Sequence, residues 1–225
     1  MTVPKSAAVL LDFIGQVETG RSGIDAYNTV YGHKEAKLPK PLTQFTLDEL
    51  LTAQKTWGKN WGSSAAGKYQ IIRATLAGLV KDLGLRGDKH FTPQLQDELG
   101  LALLKRRGYA RFVAGQTTIT AFGNELAKEW ASMPVLSDMQ GHKRQVQVGQ
   151  SYYSGDGLNK ALVKPEAFRE VLGKAMVADV PTVAPKPAPK RAEPPTSKAL
   201  FISGWTIFWV VVAAALLIAA FTIKF

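Results

Sequence analysis

The 225-residue chain contains no cysteine, and this absence excludes several classes of protein. Without thiols there is no disulfide framework, no thiolate metal site and no cysteine nucleophile. Histidine is also scarce, and His33, His90 and His142 include no pair at the spacing of helical metal ligands. We therefore expect neither a metal ion nor another cofactor.

Acidic residues are few beside basic ones, 18 against 28, which gives a formal net charge of +10. A basic protein favours a polyanionic partner such as nucleic acid, anionic lipid or an anionic cell-wall polymer. The most basic run, residues 105–107, precedes Gly108 at a predicted helix end, where cations complement the helix dipole. Because no RNA- or DNA-binding signature accompanies the charge, we expect no nucleic-acid partner.

Long uncharged stretches are absent except for one, residues 199–223. As a helix these 25 residues would be about 37 Å long, enough to cross a hydrocarbon layer of about 30 Å with some tilt. Residues 179–198 before it are rich in proline and predict an extended linker. The sequence thus predicts a domain over residues 1–178, a linker over 179–198 and a transmembrane helix over 199–223 that contacts the lipid bilayer.

The first 178 residues predict an α+β domain that is mainly α-helical. Residues 20–62 carry many glycines and prolines, which predict loops, a small hairpin and a short helix capped by Thr46 and Glu49. Trp57 and Trp61 are assigned to the loop after that helix, either as packing residues or as surfaces for a sugar ring. Apolar residues at three- and four-residue spacing predict helices over residues 6–18, 65–83, 93–107 and 119–130, and one beginning near Pro165.

Residues 62–69 (GSSAAGKY) come close to a phosphate-binding loop, but the match fails at its last position. Tyr69 stands where a serine or threonine hydroxyl should bind magnesium, and no buried strand precedes the loop. We therefore expect no nucleotide partner. Small residues before Lys68 would instead let the backbone approach a ligand closely at a helix start.

Glu18 lies at the edge of the apolar stripe of the first predicted helix, immediately before Thr19 and Gly20. A carboxyl group in this position can be partly desolvated, which raises its pKa toward a value useful for a general acid. Alternatively, Glu18 is a solvated residue near a helix end, as most glutamates are.

Four segments in order resemble the lambda-type phage endolysins, a family of muramidases with a lysozyme-like fold that includes lytic transglycosylases. These segments are residues 11–20 (LDFIGQVETG), 64–71 (SAAGKYQI), 83–108, and 130–134 (WASMP), and the loop at 152–157 (YYSGDG) also looks like one in phage muramidases. The resemblance spans about residues 7–178.

The resemblance implies an enzyme that cleaves the β-1,4 bond between N-acetylmuramic acid and N-acetylglucosamine in peptidoglycan glycan strands, and so lyses bacteria. Glu18 matches the family's catalytic glutamate, and Tyr69, Gln70 and Tyr152 are candidates for binding substrate in the cleft. A hydrolase generally needs a second carboxylate, for which Asp25, Glu35, Asp48 and Glu49 carry no compelling motif. A transglycosylase needs none, since the C6 hydroxyl of the substrate attacks. The alternative is a non-catalytic, membrane-anchored protein that binds peptidoglycan or acts as a scaffold.

Basic residues before the predicted transmembrane helix outnumber those after it, where only Lys224 follows. The positive-inside rule therefore places the domain on the cytoplasmic side of a bacterial inner membrane, away from peptidoglycan. Either the enzyme waits there until the membrane is permeabilised, or the domain is translocated against the charge rule.

Overall fold

The computed structural model describes residues 3–157 and 159–179. Within these residues the chain forms eight α-helices, three single turns of 3-10 helix and one pair of two-residue strands. The helices are α1 (Lys5–Thr19), α2 (Gly23–Asn28), α3 (Leu47–Trp61), α4 (Arg73–Asp82), α5 (Pro93–Arg106), α6 (Tyr109–Val113), α7 (Ile119–Ala127) and α8 (Pro165–Val177). The strands, β1 (Met139–Gln140) and β2 (Gln145–Val146), pair antiparallel. The described residues are therefore mainly helical, as predicted.

Helix α1 is the centre of the packing, because it contacts α8 most extensively and also packs on α2 and α5. The sequence predicts a buried stripe of Val9, Leu10, Phe13, Ile14 and Val17. Leu10 and Ile14 are fully buried, together with Ala7 and Leu11, whereas the other three are only partly buried. Phe13 stacks on Phe168 of α8 with ring centroids 6.1 Å apart. This packing fixes the direction in which the last turn of α1 presents its side chains.

Three predicted helix starts are confirmed by their local chemistry. Thr46 and Glu49 form a reciprocal capping box at α3, and the Thr92 hydroxyl accepts a hydrogen bond from the Leu95 amide at α5. Pro93 and Pro165 occupy the first position of α5 and α8, where a missing N–H costs nothing.

Helix α3 is longer than predicted, and Trp57 and Trp61 lie on it rather than in a loop. The helix has a buried stripe, and packing of that stripe stabilises the helix through Gly58. The stripe comprises Leu47, Leu50, Gln54 and Trp57. The two indole rings stack with centroids 4.9 Å apart. The helix ends only where Gly62 adopts a left-handed conformation, with φ of 88°.

The helix predicted over residues 65–83 begins eight residues late, at Arg73. Gly67 and Gln70 have φ of 74° and 45°, values that a right-handed helix does not contain. Residues 66–71 instead fold back, with Ala66 bridged to both Ile71 and Val30. The hairpin predicted within residues 20–62 is also wrong, since α2 and the 3-10 turns occupy its place. Helix α7 stops at Ala127, so that Trp130 lies beyond it.

Among the described residues, no helix has the length and hydropathy required to cross a membrane. The predicted linker and transmembrane helix lie outside the described residues, apart from Asp179.

Candidate active site

Glu18 lies in the last turn of α1, which ends abruptly after it. The Thr19 hydroxyl donates to the Gly15 carbonyl at 2.7 Å, and the Gly20 amide donates to the Gln16 carbonyl at 2.8 Å. Gly20 is left-handed, with φ of 65°, so the chain turns away and leaves Glu18 at the helix end. The residue is partly exposed rather than fully solvated.

The surroundings of the Glu18 carboxyl favour its protonated form. Burial raises its pKa from the ordinary value of 4.5 to about 7, and a hydrogen bond donated by the Ser132 hydroxyl to Oε1 opposes this rise. With a pKa near neutrality, the carboxyl can both donate and accept a proton. This is the property that a general acid and base requires.

Residues 130–135, here called the central segment, connect Glu18 to the other predicted site residues. Ser132 binds Glu18, and the indole N–H of Trp130 donates to the Tyr69 carbonyl at 3.2 Å. The Ser151 hydroxyl donates to the Ala131 carbonyl at 2.7 Å. The central segment thus fixes the end of α1, the turn at residues 67–70 and the loop that begins at Ser151 relative to one another.

Tyr69 is a core residue in this structure, with 1% of its surface exposed. Its hydroxyl donates to Asp97 Oδ1 at 2.5 Å, and burial raises the pKa of the phenol above its usual value. The ring therefore has almost no surface to offer a ligand. A substrate contact by Tyr69 remains a prediction, and the structure assigns its side chain to packing.

Gln70 remains partly exposed, next to Tyr69 in the same turn. Its side-chain amide donates to the Gly67 carbonyl at 2.9 Å, which helps to hold its own left-handed backbone. Tyr152 is also partly exposed, and follows the Ser151 that binds the central segment. Substrate contacts by Gln70 and Tyr152 stay predictions, and both residues retain the accessible surface that such contacts need.

Lys68 is itself buried and forms a polar network with side chains of α1, α2 and α5, of which Asp12 is exposed. Its ammonium group is 2.8 Å from Asp12 Oδ1 and 3.8 Å from Asp97 Oδ1, and it bonds the Tyr27 hydroxyl at 3.1 Å. The stem of Lys68 lies on Gly15, where an added Cβ would be 2.5 Å from Cγ. Only a glycine at residue 15 lets Lys68 join the turn at 67–70 to α1 in this way.

The four candidate second carboxylates have other structural surroundings. Glu35 accepts from Arg21 Nη1 at 3.3 Å and from the Val30 amide at 3.2 Å, whereas Glu49 belongs to the α3 capping box. Asp48 lies against Gly87, and Asp25 is exposed in the first turn of α2.

A pocket of about 400 Å³ includes the candidate carboxylate Glu35 but none of Glu18, Tyr69, Gln70 and Tyr152. It is lined by Asn28, Glu35, Ala36, Leu38, Lys40, Pro41 and Leu42. Across residues 3–157 and 159–179, no cluster of three or more histidine, aspartate or glutamate residues is arranged to hold a metal ion.

Sequence reasoning missed two contributors, Ser132 and Asp97. Ser132 lies within the family-like residues 130–134, but no local signal marks its hydroxyl as the partner of Glu18, 114 residues away. Asp97 accepts hydrogen bonds from both Tyr27 and Tyr69, residues from separate parts of the chain. Neither contact has a spacing that could be read from the sequence.

The helical domain and its partly buried, protonatable carboxyl group define a protein with the features of an acid–base enzyme. A sequence model of the Endolysin family matches residues 10–158. The chain therefore belongs to the endolysin family, as the resemblance of its motifs predicts. Family membership supports a peptidoglycan-cleaving, lysozyme-type function.

One solved structure similar to this chain is bacteriophage lambda lysozyme complexed with a chitohexasaccharide. The two sequences are 20% identical, with 78% of this chain and 96% of the lambda chain covered and a TM-score of 0.48. A search of curated proteins finds no match.

Proposed function

We propose that this protein is a muramidase that cleaves the β-1,4 bond between N-acetylmuramic acid and N-acetylglucosamine, with Glu18 as its acid and base. The observation that carries the proposal is the Glu18 carboxyl, which is partly buried, bonded by the Ser132 hydroxyl and has a pKa near 7. It lies within the residues that match the endolysin family.

In the first step, protonated Glu18 donates its proton to the glycosidic oxygen as the bond from that oxygen to the anomeric carbon breaks. The leaving sugar departs as an alcohol, and positive charge develops on the ring. In the second step a hydroxyl oxygen attacks the anomeric carbon, and its proton passes to the Glu18 carboxylate. The carboxyl group is then protonated again for the next cycle.

We further propose that the attacking hydroxyl is the substrate's own C6 hydroxyl, which makes the enzyme a lytic transglycosylase with 1,6-anhydro products. An inverting hydrolase needs a second carboxylate to activate water, and a retaining hydrolase needs one as a nucleophile. The four candidates considered above are exposed or have other hydrogen-bond and packing partners. An internal hydroxyl requires only the one group that both gives and takes the proton.

Ser132 acts in this mechanism as a positioning residue. Its hydroxyl fixes the Oε1 atom of Glu18 and favours the charged form, which is needed in the second step. Burial favours the protonated form, which is needed in the first step. The two opposing effects keep the pKa near the middle of the physiological range.

The test is digestion of purified bacterial sacculi by the full chain in mild detergent, with mass analysis of the released fragments. We expect fragments with 1,6-anhydro ends from the wild type and almost none from Glu18→Gln. Reducing ends would instead identify a hydrolase. Equal digestion by both proteins would exclude the proposed role of Glu18, and binding without digestion by the wild type would favour the non-catalytic scaffold.

We also propose that residues 199–223 anchor the enzyme in the bacterial inner membrane, on the basis of their uncharged sequence. Protease treatment of spheroplasts distinguishes the two topologies. Protection of the domain until detergent is added would indicate a cytoplasmic enzyme that awaits permeabilisation, whereas digestion in intact spheroplasts would indicate translocation. Recovery of the whole chain in the soluble fraction would overturn the anchor.

A further inference from the structure

We propose that the hairpin tip, residues 141–144, binds the carboxylates of peptidoglycan stem peptides through Lys143 and Arg144. This inference rests on the proposed function, because it concerns how the wall polymer is held beside Glu18. It adds an ionic contact to the peptide part of the substrate, separate from the sugar contacts predicted for Gln70 and Tyr152.

The first observation is that both charges of the hairpin tip are exposed and that neither takes part in an ion pair within the part of the chain that the structure describes. Within residues 3–157 and 159–179, neither Lys143 nor Arg144 forms an ion pair with a carboxylate. The basic run at residues 105–107 differs, because Arg106 and Arg107 both bind Glu129, at 2.7 and 2.8 Å. Arg106 and Arg107 thus have a carboxylate partner, whereas among the described residues Lys143 and Arg144 have no ion pair, although the Arg144 side chain lies against Gly155.

The second observation is that the hairpin tip is held firmly in place. The Gly141 amide donates to the Arg144 carbonyl, and the His142 amide donates to the Tyr152 carbonyl, each at 2.9 Å. A Cβ at residue 141 would lie 2.6 Å from the Tyr152 carbonyl oxygen, so only glycine allows this approach. The His142 ring packs 5.4 Å from that of Tyr153.

The third observation concerns position. Tyr152, which binds the tip, directly follows Ser151, and the Ser151 hydroxyl donates to the Ala131 carbonyl of the central segment. The residue after Ala131 is Ser132, whose hydroxyl donates to Glu18. The hairpin tip is therefore connected to the candidate active site through two short hydrogen-bonded segments. Under this proposal a glycan strand bound at Glu18 presents a peptide side chain to the hairpin tip.

The chemistry of the substrate matches the charges of the tip. Stem peptides extend from the lactyl groups of muramic acid residues and carry free carboxylates, whereas the sugar ring hydroxyls and acetamides are neutral. Arginine and lysine bind carboxylates by charge-assisted hydrogen bonds, arginine with two parallel donors. At an exposed site these contacts are modest and sensitive to salt.

The test measures co-sedimentation of the full chain with sacculi in mild detergent, in the Glu18→Gln background so that the polymer stays intact. The variant K143Q/R144Q removes both charges of the tip. The matched control K55Q/K59Q removes two exposed charges from α3, where both lysines face solvent. A second polymer sample has its carboxylates blocked as methylamides.

We expect K143Q/R144Q to weaken binding to untreated sacculi about three- to tenfold, and the control variant to leave binding unchanged. On blocked sacculi, or at about 1 M salt, the difference between K143Q/R144Q and the parent should disappear. Equal binding of K143Q/R144Q and its parent to untreated sacculi would overturn the inference. The inference would also fail if the substitutions weakened binding to blocked sacculi as much as they weaken binding to untreated sacculi.

This experiment separates the inference from the proposed function because it measures binding alone. The two proposals fail by different readouts: digestion of sacculi by Glu18→Gln would refute the role of Glu18, whereas binding is compared only between two proteins that share that background. If the variant of the tip binds normally, the inference fails and the catalytic proposal stands.

Discussion

Two glutamates with shielded side chains, Glu18 and Glu129, have opposite surroundings. Glu129 exposes 7% of its side chain and accepts ion pairs from Arg106 and Arg107. Glu18 receives one hydrogen bond from a neutral hydroxyl, and burial raises its pKa to about 7. The first carboxylate joins the end of α5 to the residues after α7, whereas the second is left able to exchange its proton.

The difference shows that burial of a carboxylate does not by itself indicate catalysis. Two arginines beside Glu129 donate hydrogen bonds to both of its oxygens, Arg106 to Oε1 and Arg107 to Oε2. A lone hydroxyl beside Glu18 compensates only part of the desolvation, so the protonated form persists near neutral pH. The nature of the partner therefore distinguishes a structural carboxylate from a candidate acid.

The largest expected effect is a contrast in turnover between matched glutamine variants. Glu18→Gln should lower kcat on sacculi by about 10²- to 10⁴-fold, since it removes the proton donor. Glu129→Gln should retain kcat within about twofold at a temperature where it is folded. Turnover measured on one sacculus preparation checks both values, and a similar loss in the two variants would contradict the contrast.

The next effect is a pH dependence of the free energy of unfolding that is caused by the titration of Glu18. Because its pKa rises from 4.5 to about 7 on folding, the folded state binds more protons than the unfolded state between these values. The free energy of unfolding should therefore decrease as pH rises through this window, by up to about 3 kcal/mol from this group.

Glu18→Gln removes that contribution, so its stability relative to the wild type should increase by up to about 3 kcal/mol between pH 4 and pH 8. Urea unfolding of both proteins at pH 4, 6 and 8 measures the difference. A difference that stays constant with pH would show that the carboxyl has its ordinary pKa.

Glu129→Gln should lower the free energy of unfolding by about 1–3 kcal/mol, because two arginines lose a shielded, charged partner. Glu170→Gln is the matched control, since the Glu170–Lys174 pair on α8 leaves about two thirds of each side chain exposed. The control should change stability by less than about 0.5 kcal/mol. Equal effects of the two substitutions would remove the structural role of Glu129.

The smallest effect concerns Ser132. Ser132→Ala removes a hydrogen bond that lowers the pKa of Glu18, so the basic limb of the kcat/KM profile should move up by about half to one pH unit. Ser151→Ala deletes a buried hydroxyl that binds the Ala131 carbonyl instead, and should reduce stability without moving that limb. A shift of the limb in the opposite direction, or an equal shift in both variants, would contradict the positioning role.

Local chemistry made much of the helical part predictable. The α1 stripe, the Thr46–Glu49 capping box and the prolines at residues 93 and 165 act over one or two turns, so they are visible in the sequence. Predictions failed where tertiary contacts outweighed local signals. Burial of Trp57 stabilises α3 beyond Gly58, where a loop was predicted. Ala66 pairs with Val30 and Ile71 as in a strand, so residues 66–71 do not join the helix predicted there.

The candidate site was predictable only in part. Glu18 and the ordered motifs pointed to the endolysin family, and the family match confirms that resemblance. The partners of the predicted residues were not predictable, because the burial of Tyr69 depends on Asp97 and on the close approach of Gly100. The catalytic role of Glu18 and the substrate contacts of Gln70 and Tyr152 stay predictions until they are tested.

The sequence by itself determined where α1 begins and ends, that a carboxylate lies in its last turn, and which family the chain belongs to. These properties depend on spacings of a few residues or on the order of motifs. Only the tertiary structure decided that Ser132 binds Glu18 while Arg106 and Arg107 bind Glu129. The pKa of a carboxyl group depends on the charges and burial around it, which residues far apart in the chain supply only after folding.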